Sequence, residues 1–188
     1  MTVQTINEVF YRVVERQSDR VMLYKRKKRW TAVTSQELYR NVVGVARTLT
    51  QWGFGKGDRV AILSENRPEW ATSEFAILAL GGVVIPIYPT LTAEQSAYML
   101  RDSGARAIFV SSADQFKKVM SVRGETALEK IVVMDPIADA DATSMAKLMQ
   151  GGPSAREPEF DARALAVGPG ELATIIYTSG TTGTPKGA

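Results

Sequence analysis

Four short apolar segments alternate with stretches of helical pattern, and this alternation restricts the chain to few folds. The segments read DRVAIL, VVIPI, AIFV and IVVM and occupy residues 58–63, 83–87, 107–110 and 131–134. They are apolar at nearly every position rather than at every second one, which is typical of strands that are covered on both faces. The alternation therefore predicts an α/β domain in which a mostly parallel sheet is flanked by helices.

Signals that start and end helices support this interpretation. Thr34 is followed by Glu37, and Thr92 by Gln95, at the three-residue spacing of a capping box. Pro68 suits the first turn of a helix, where its missing N–H costs nothing. The predicted helices run from 35 to a stop at Gly53, from 68 to 80, from 93 to about 103, and from 114 to 122.

The pattern changes after Asp135. Residues 150–170 contain four glycines and three of the chain's eight prolines among mixed charges, and we predict a long surface loop there. The following segment, 172–177, reads LATIIY and predicts a buried strand. That strand would lead directly into the last residues of the sequence.

The side-chain inventory excludes several classes of chemistry. The 188 residues include no Cys and no His. Disulfides, thiolate–metal sites, cysteine nucleophiles, Ser-His-Asp hydrolysis and His-ligated metals are therefore ruled out within this sequence. Any chemistry must rely on hydroxyls, lysines, carboxylates and backbone dipoles.

The positive charge is concentrated near the N-terminus. Residues 1–60 carry 12 Lys and Arg against 5 Asp and Glu, whereas the net charge of the whole chain is only +3. Much of the excess is the run KRKKR at 25–29, which lies between the β-prone segments 21–24 and 30–33. We interpret the run as a solvated hairpin turn. A patch for anionic lipid remains the alternative, and the absence of Arg–aromatic interleaving argues against nucleic acid.

Membrane and targeting signals are not evident in the sequence. The longest apolar stretch, 75–88, is shorter than the roughly 20 residues that a spanning helix needs, and Gly81, Gly82 and Pro86 interrupt it. The N-terminal residues carry charges throughout and lack the apolar core of a secretory signal. We therefore expect a cytoplasmic protein, with peripheral contact at a membrane left open.

The final segment, TSGTTGTPKGA at 178–188, has the composition of a phosphate-binding loop. Its glycines allow backbone N–H groups to converge, and its hydroxyls can donate to phosphate oxygens or bind Mg²⁺. Lys186 adds a cationic group that suits a polyphosphate. The segment is not a Walker A loop, because Pro185 precedes that lysine and Gly187 follows it.

The string YTSGTTGTPKG at 177–187 resembles the signature loop of the AMP-forming adenylating enzymes, which include acyl-CoA synthetases, luciferases and peptide-synthetase adenylation domains. The segments SENRPEW at 64–70, IPIYPT at 85–90 and DSGA at 102–105 resemble the branch of long-chain fatty acyl-CoA synthetases. We interpret these further segments as packing features that mark the branch. The resemblance spans the chain from about Thr5.

The resemblance implies a site and its ligands. Fatty acid, ATP and CoA would be the substrates, Mg²⁺ the metal, and Thr178 the residue of this chain that contacts it. The phosphates of ATP would be held by seven residues: Thr178, Ser179, Gly180, Thr181, Thr182, Gly183 and Lys186. Enzymes of this kind continue well beyond the loop, so residues 1–188 would be an incomplete N-terminal, AMP-binding domain.

Three functional hypotheses follow. The first is an N-terminal part of a long-chain fatty-acid–CoA ligase that is inactive on its own, and we expect no catalytic residue within it. The second is an adenylating enzyme for another carboxylic acid, such as an aryl or amino acid. The third is a binding or assembly module with the same fold. An apolar strand edge at 172–177 would favour self-association.

Overall fold

The computed structural model describes residues 2–179 and 185–188. Eight elements form the first half of the fold: α1 (Ile6–Glu15), β1 (Met22–Arg26), β2 (Arg29–Val33), α2 (Ser35–Gln51), β3 (Arg59–Leu63), α3 (Pro68–Ala79), β4 (Val83–Ile87) and α4 (Ala93–Ser103). The second half comprises β5 (Ala107–Val110), α5 (Ala113–Met120), a 3₁₀ turn (Arg123–Glu125), β6 (Lys130–Val133), β7 (Thr143–Ser144), α6 (Met145–Gln150), α7 (Pro158–Leu165), β8 (Tyr177–Ser179) and β9 (Pro185–Gly187).

The core of the molecule is a five-stranded parallel sheet with the strand order β4-β3-β5-β6-β7. In the register, Val60 of β3 lies between Val84 of β4 and Ala107 of β5. The predicted α/β fold class is confirmed, and its four strands lie within one or two residues of their predicted bounds. The two-residue strand β7 carries no apolar run and was not expected.

Helices cover both faces of the sheet, which explains why its strands are apolar almost throughout. Along β3, Val60 and Ile62 face a core shared with α1, α2, α3, α6 and α7. Ala61 and Leu63 face a second core formed with α4 and α5. Strands β3, β4, β5 and β6 therefore bury both of their faces, as strands of parallel sheets in α/β proteins do.

The predicted caps are present. The Thr34 hydroxyl accepts a hydrogen bond from the Glu37 N–H at the start of α2. At the start of α4 the capping box is complete, because the Thr92 hydroxyl accepts from the Gln95 N–H and the Gln95 side chain accepts from the Thr92 N–H. These caps satisfy backbone donors that a helix start leaves unpaired.

The prediction of a long loop at 150–170 is wrong in its second half. Helix α7 occupies Pro158–Leu165, with the proline in its first turn. Phe160 and Ala164, one turn apart, are buried in the first core. The surrounding Gly and Pro residues suggested a loop, whereas burial of one apolar stripe is enough to hold two turns of helix in place.

A polar cluster ties α7 to α1 and α2. The hydroxyls of Tyr11 and Tyr39 both donate to Asp161 Oδ1, at 2.8 and 2.9 Å. Arg156 Nε donates to Asp161 Oδ2 at 2.9 Å, and its guanidinium lies over both tyrosine rings. Burial, together with the Asp161 charge, raises the pKa of Tyr39 to about 12 and raises the pKa of Tyr11 further. The two tyrosines therefore stay neutral and donate their hydrogen bonds at neutral pH.

The predicted buried strand at 172–177 is also wrong. Thr174 forms only a single parallel bridge with Val84, and β8 begins at Tyr177. Leu172 and Ile176 are 59% and 47% exposed, because this segment borders the sheet on one side only. Exposed apolar side chains at a sheet edge are consistent with self-association, which stays a prediction.

The structure also bears on membrane insertion. Among the helices of residues 2–179 and 185–188, none combines the length and the hydropathy that crossing a bilayer requires. The apolar stretch at 75–88 is divided between α3 and β4, which confirms the predicted helix at 68–80 and the predicted strand at 83–87.

Candidate phosphate-binding site

The two ends of the predicted phosphate loop pair with each other as a short antiparallel hairpin made of β8 and β9. In its register Tyr177 lies opposite Gly187, and Thr178 lies opposite Lys186. Backbone hydrogen bonds between Ile176 and Ala188, 2.9 and 3.1 Å long, extend the pairing by one residue. The hairpin therefore brings together the two ends of a segment that the sequence separates.

The structure describes only part of the predicted site. Thr178 and Lys186 are exposed and directly opposite each other, and the Ser179 backbone pairs with Pro185. Directly opposite residues of an antiparallel pair have Cβ atoms about 4.5–5.5 Å apart, so the hydroxyl and the ammonium share one face of the hairpin. The other predicted residues, Gly180, Thr181, Thr182 and Gly183, lie outside the described residues.

The sheet sets the direction of this hairpin. The segment before it runs parallel to β4, where the Val84 N–H donates to the Ala173 carbonyl at 2.9 Å and the Ile175 N–H donates to the Val84 carbonyl at 3.0 Å. The Thr174 hydroxyl also donates to the Val84 carbonyl. Because the segment runs in the same direction as β4, it carries β8 toward the carboxyl end of the sheet, where α/β folds bind ligands.

Two tyrosines fasten the hairpin to the second core. Tyr177 is buried and its hydroxyl donates to Asp102 Oδ2 at 2.6 Å. The Tyr98 hydroxyl donates to the Pro185 carbonyl at 3.0 Å, and the two rings meet edge to face. Burial, followed by the bond to Asp102, raises the pKa of Tyr177. One strand of the hairpin is thus attached through a side chain and the other through a backbone carbonyl.

Gly187 of β9 packs closely against Ile175, which leaves no room for a side chain at position 187. A Cβ built on Gly187 would lie 2.6 Å from Ile175 Cγ2, closer than real Cβ contacts come. The motif's last glycine is therefore explained by close packing of β9 against residue 175. Sequence reasoning attributed it only to backbone freedom near a ligand.

The described residues are compatible with Mg²⁺ and a polyphosphate. A threonine hydroxyl is an oxygen donor of the kind Mg²⁺ accepts, and this ion usually takes one or two protein ligands with phosphate oxygens and water. Lys186 offers the balancing positive charge. Across residues 2–179 and 185–188, no three acidic side chains converge into a metal-binding group of their own.

Arg67 lies at the centre of a second charged group at the carboxyl end of the sheet. Its guanidinium donates to Asp135 Oδ1 and Glu69 Oε2, both at 2.9 Å, and to the Ser111 carbonyl at 3.3 Å. Burial opposes the charge, but the two carboxylates raise the pKa of Arg67 overall. These contacts bridge the loops that follow β3, β5 and β6 at the carboxyl end of the sheet, where α/β folds bind ligands.

Sequence reasoning missed the role of this arginine. Residues 64–70 were interpreted as packing features, whereas the signal available was the position of Arg67 in the short segment between a strand that ends at Leu63 and a helix that begins at Pro68. Glu65 and Arg67 also border a groove of about 870 Å³ between these loops and β1–β2. The charged group connects three loops at the carboxyl end of the sheet.

Comparison with known proteins identifies the family. The family model described as AMP-binding enzyme matches residues 10–188. The long-chain-fatty-acid–CoA ligase FadD15 of Mycobacterium bovis is 39% identical over 158 residues, which are 84% of this chain and 26% of the relative. The long-chain-fatty-acid–CoA ligase ACSBG1 of Rattus norvegicus is 30% identical over 188 residues, covering 97% of this chain and 26% of the relative.

A solved structure also resembles this chain. The anthranilate CoA ligase AuaEII in complex with anthranoyl-AMP superposes with a TM-score of 0.83 at 26% identity, over 96% of this chain and 33% of that one. The chain thus spans about a quarter of the length of the curated relatives it matches. Fold, loop sequence and relatives agree: the chain belongs to the AMP-binding enzyme family.

Proposed function

We propose that these 188 residues form the N-terminal part of an AMP-forming long-chain fatty-acid–CoA ligase and supply one wall of its phosphate site. The observation that carries this proposal is the β8–β9 hairpin, which sets Thr178 opposite Lys186 at the two ends of the Gly- and Thr-rich loop. Relatives at 39% and 30% identity that are named long-chain-fatty-acid–CoA ligases support the substrate class.

The proposed reaction has two half-reactions. In the first, a fatty-acid carboxylate attacks the α-phosphorus of ATP, and the bond to pyrophosphate breaks to give acyl-AMP. In the second, the CoA thiol attacks the acyl carbon, loses its proton, and the bond to AMP breaks. The first step needs no general base from this chain, because the carboxylate is already ionised at neutral pH.

The residues of this chain would act on the phosphates. Lys186 would balance charge on the β- and γ-phosphates as pyrophosphate departs, which is a transition-state stabilisation by a pre-positioned cation. Gly180, Thr181, Thr182 and Gly183 would donate backbone and hydroxyl hydrogen bonds to the same oxygens. The Thr178 hydroxyl would hold Mg²⁺, which when bound neutralises charge on the leaving group.

The rest of the site would come from further sequence. We propose that the adenine and ribose contacts, an acidic partner for Mg²⁺, most of the fatty-acid tunnel and a C-terminal domain with its catalytic lysine belong to the remainder of the enzyme. Residues 1–188 would then be an incomplete AMP-binding domain. This division is consistent with relatives about three to four times as long as the chain.

A second acid class has one observation in its favour. Anthranilate is an aryl acid, and the anthranilate CoA ligase structure resembles this chain at 26% identity with a TM-score of 0.83. The higher identity of 39% to a fatty-acid ligase favours the long-chain acid.

Acid-dependent exchange of pyrophosphate into ATP by the full-length protein tests the proposal. We expect exchange with palmitate to exceed exchange with anthranilate or with any amino acid. Preference for an aryl acid would overturn the substrate class. No exchange with any acid, together with normal folding, would favour a non-catalytic module of the same fold.

The 188-residue chain alone should form no acyl-CoA and should bind ATP–Mg²⁺ weakly. Titration calorimetry and an acyl-CoA assay on the purified chain measure this. Micromolar affinity for ATP, or AMP release that depends on fatty acid, would mean that the site is complete within these residues.

A further inference from the structure

The hairpin β1–β2 presents a compact basic tip. Met22 pairs with Val33 and Arg26 with Arg29, which leaves Lys27 and Lys28 as a two-residue turn. Both turn residues have positive φ, 46° and 66°. That is the backbone of a type I′ turn, in which Asn and Gly are preferred. Two lysines therefore occupy positions where backbone preference alone would favour other residues.

One face of this hairpin packs against neither core and is largely exposed, where it borders the groove beside the loops at the carboxyl end of the sheet. Met22 and Tyr24 pack against the first core. Leu23 and Lys25 alternate with them, and Trp30 lies directly opposite Lys25, so these three share the other face. Leu23 is 56% exposed and Trp30 is 69% exposed. The side chains of Trp30 and Leu23 are thus exposed to solvent beside Lys25.

The charge of the tip is not neutralised locally. Lys25, Lys27, Lys28 and Arg29 are exposed, and none of them pairs with a carboxylate within the described part of the chain. Residues 61–188 carry 11 Lys and Arg against 15 Asp and Glu, so the positive charge lies at one end of the sequence. The four exposed cations at the tip would attract an anionic surface to it.

The combination of exposed basic and exposed apolar side chains on this hairpin favours a lipid surface over a nucleic acid. Trp is enriched at the level of lipid headgroups, where one side of the ring is apolar and the other is wet. An exposed leucine beside it gains from the acyl boundary and gains nothing from a phosphodiester backbone. Basic residues near an anionic leaflet each strengthen binding by roughly fivefold.

We propose that the tip of β1–β2 docks on anionic phospholipid bilayers, with Trp30 and Leu23 at the headgroup level and Lys25, Lys27, Lys28 and Arg29 among the phosphates. This inference does not rest on the proposed reaction. For an enzyme acting on long-chain acids, it would hold the protein at the surface into which such acids partition.

Sedimentation of the 188-residue chain with vesicles tests the proposal. Vesicles of phosphatidylcholine with 30% phosphatidylglycerol, at about 0.1 M salt, should bind the chain, and phosphatidylcholine alone should bind it at least tenfold more weakly. The triple variant Lys25→Gln, Lys27→Gln, Lys28→Gln should lose roughly 100-fold in affinity, from three charges.

A matched control removes three charges elsewhere. Arg16, Lys117 and Lys147 are exposed and lie outside the hairpin. Changing all three to Gln lowers the net charge equally and should reduce vesicle binding less than threefold. Equal losses for the two triple variants would overturn the proposal, because binding would then follow net charge alone. Both variants should unfold at the wild-type temperature, since the altered side chains are exposed.

The aromatic side chain has its own test. Brominated lipids should quench tryptophan fluorescence in the wild-type chain, and the quenching should be lost in Trp30→Phe, because Trp52 and Trp70 pack against the first core. Unchanged quenching in that variant would overturn the placement of Trp30. Binding to polyuridylate with no binding to anionic vesicles would overturn the lipid assignment altogether.

Discussion

Two antiparallel hairpins of this protein carry lysines at their ends, and they are held very differently. The β8–β9 hairpin is fastened to α4 through the hydroxyls of Tyr177 and Tyr98 and passes Ile175 closely at Gly187. The β1–β2 hairpin packs only its inner face and ends in exposed lysines. The comparison teaches that a lysine's surroundings, more than its charge, decide which ligand it can act on.

The largest expected effect is a loss of adenylation rate, which we expect for the lysine of β8–β9 and not for the lysines of β1–β2. In the full-length enzyme, Lys186→Ala and Thr181→Ala should each lower the rate of adenylation by about 10²–10³, the usual cost of losing one donor to developing charge. Lys28→Ala, in the other hairpin, should leave the rate unchanged. Pyrophosphate exchange measures all three. A wild-type rate for Lys186→Ala and Thr181→Ala would remove both from the mechanism.

A smaller effect is expected from crowding the base of the β8–β9 hairpin. Gly187→Ala places a Cβ against Ile175 Cγ2 and should cost about 1–3 kcal/mol of local stability, as overpacking does. Ile175→Leu removes that γ2 methyl and should restore exchange activity in the double variant. Gly170→Ala is the control, because a Cβ there meets no atom within 4 Å. Equal activities for Gly187→Ala and Gly170→Ala would contradict the packing argument.

The hydrogen bond from Tyr177 to Asp102, which anchors β8–β9, should also affect the alkaline titration of Tyr177. Burial and Asp102 raise the pKa of Tyr177 above its ordinary value of 10. As the pH rises above 10, the unfolded chain loses this proton while the folded protein keeps it. The stability that the neutral Tyr177 hydroxyl contributes is therefore complete below pH 10 and is lost as the pH rises through the raised pKa. Absorbance at 295 nm of wild type minus Tyr177→Phe should show a midpoint above 10. A midpoint at 10 would mean that the hydroxyl is not held by Asp102.

The smallest expected effect is the change in turnover when charges of the β1–β2 hairpin are removed. Changing Lys25, Lys27 and Lys28 to Gln should leave turnover of a water-soluble short-chain acid within about twofold of wild type, because exposed charges contribute little to a distant site. Any loss should appear only with anionic vesicles. A severalfold loss without vesicles would place the hairpin in the active site.

Local patterns predicted much of the fold. The apolar runs that became β3, β4, β5 and β6 are buried on both faces, so their composition carries the signal directly. The caps at Thr34 and Thr92 are likewise written in adjacent residues. Helix α7 was missed because its evidence is the burial of Phe160 and Ala164 against distant helices.

The candidate site likewise has features that the sequence predicts and features that only the structure shows. By itself, the sequence determined the loop motif, and with it the family and the chemical groups available, because glycines, hydroxyls and a lysine at fixed spacing are local properties. Only the tertiary structure decided that Thr178 faces Lys186, that Tyr177 reaches Asp102, and that Leu172 and Ile176 remain exposed. Those outcomes depend on contacts between residues far apart in the chain, which no local pattern records.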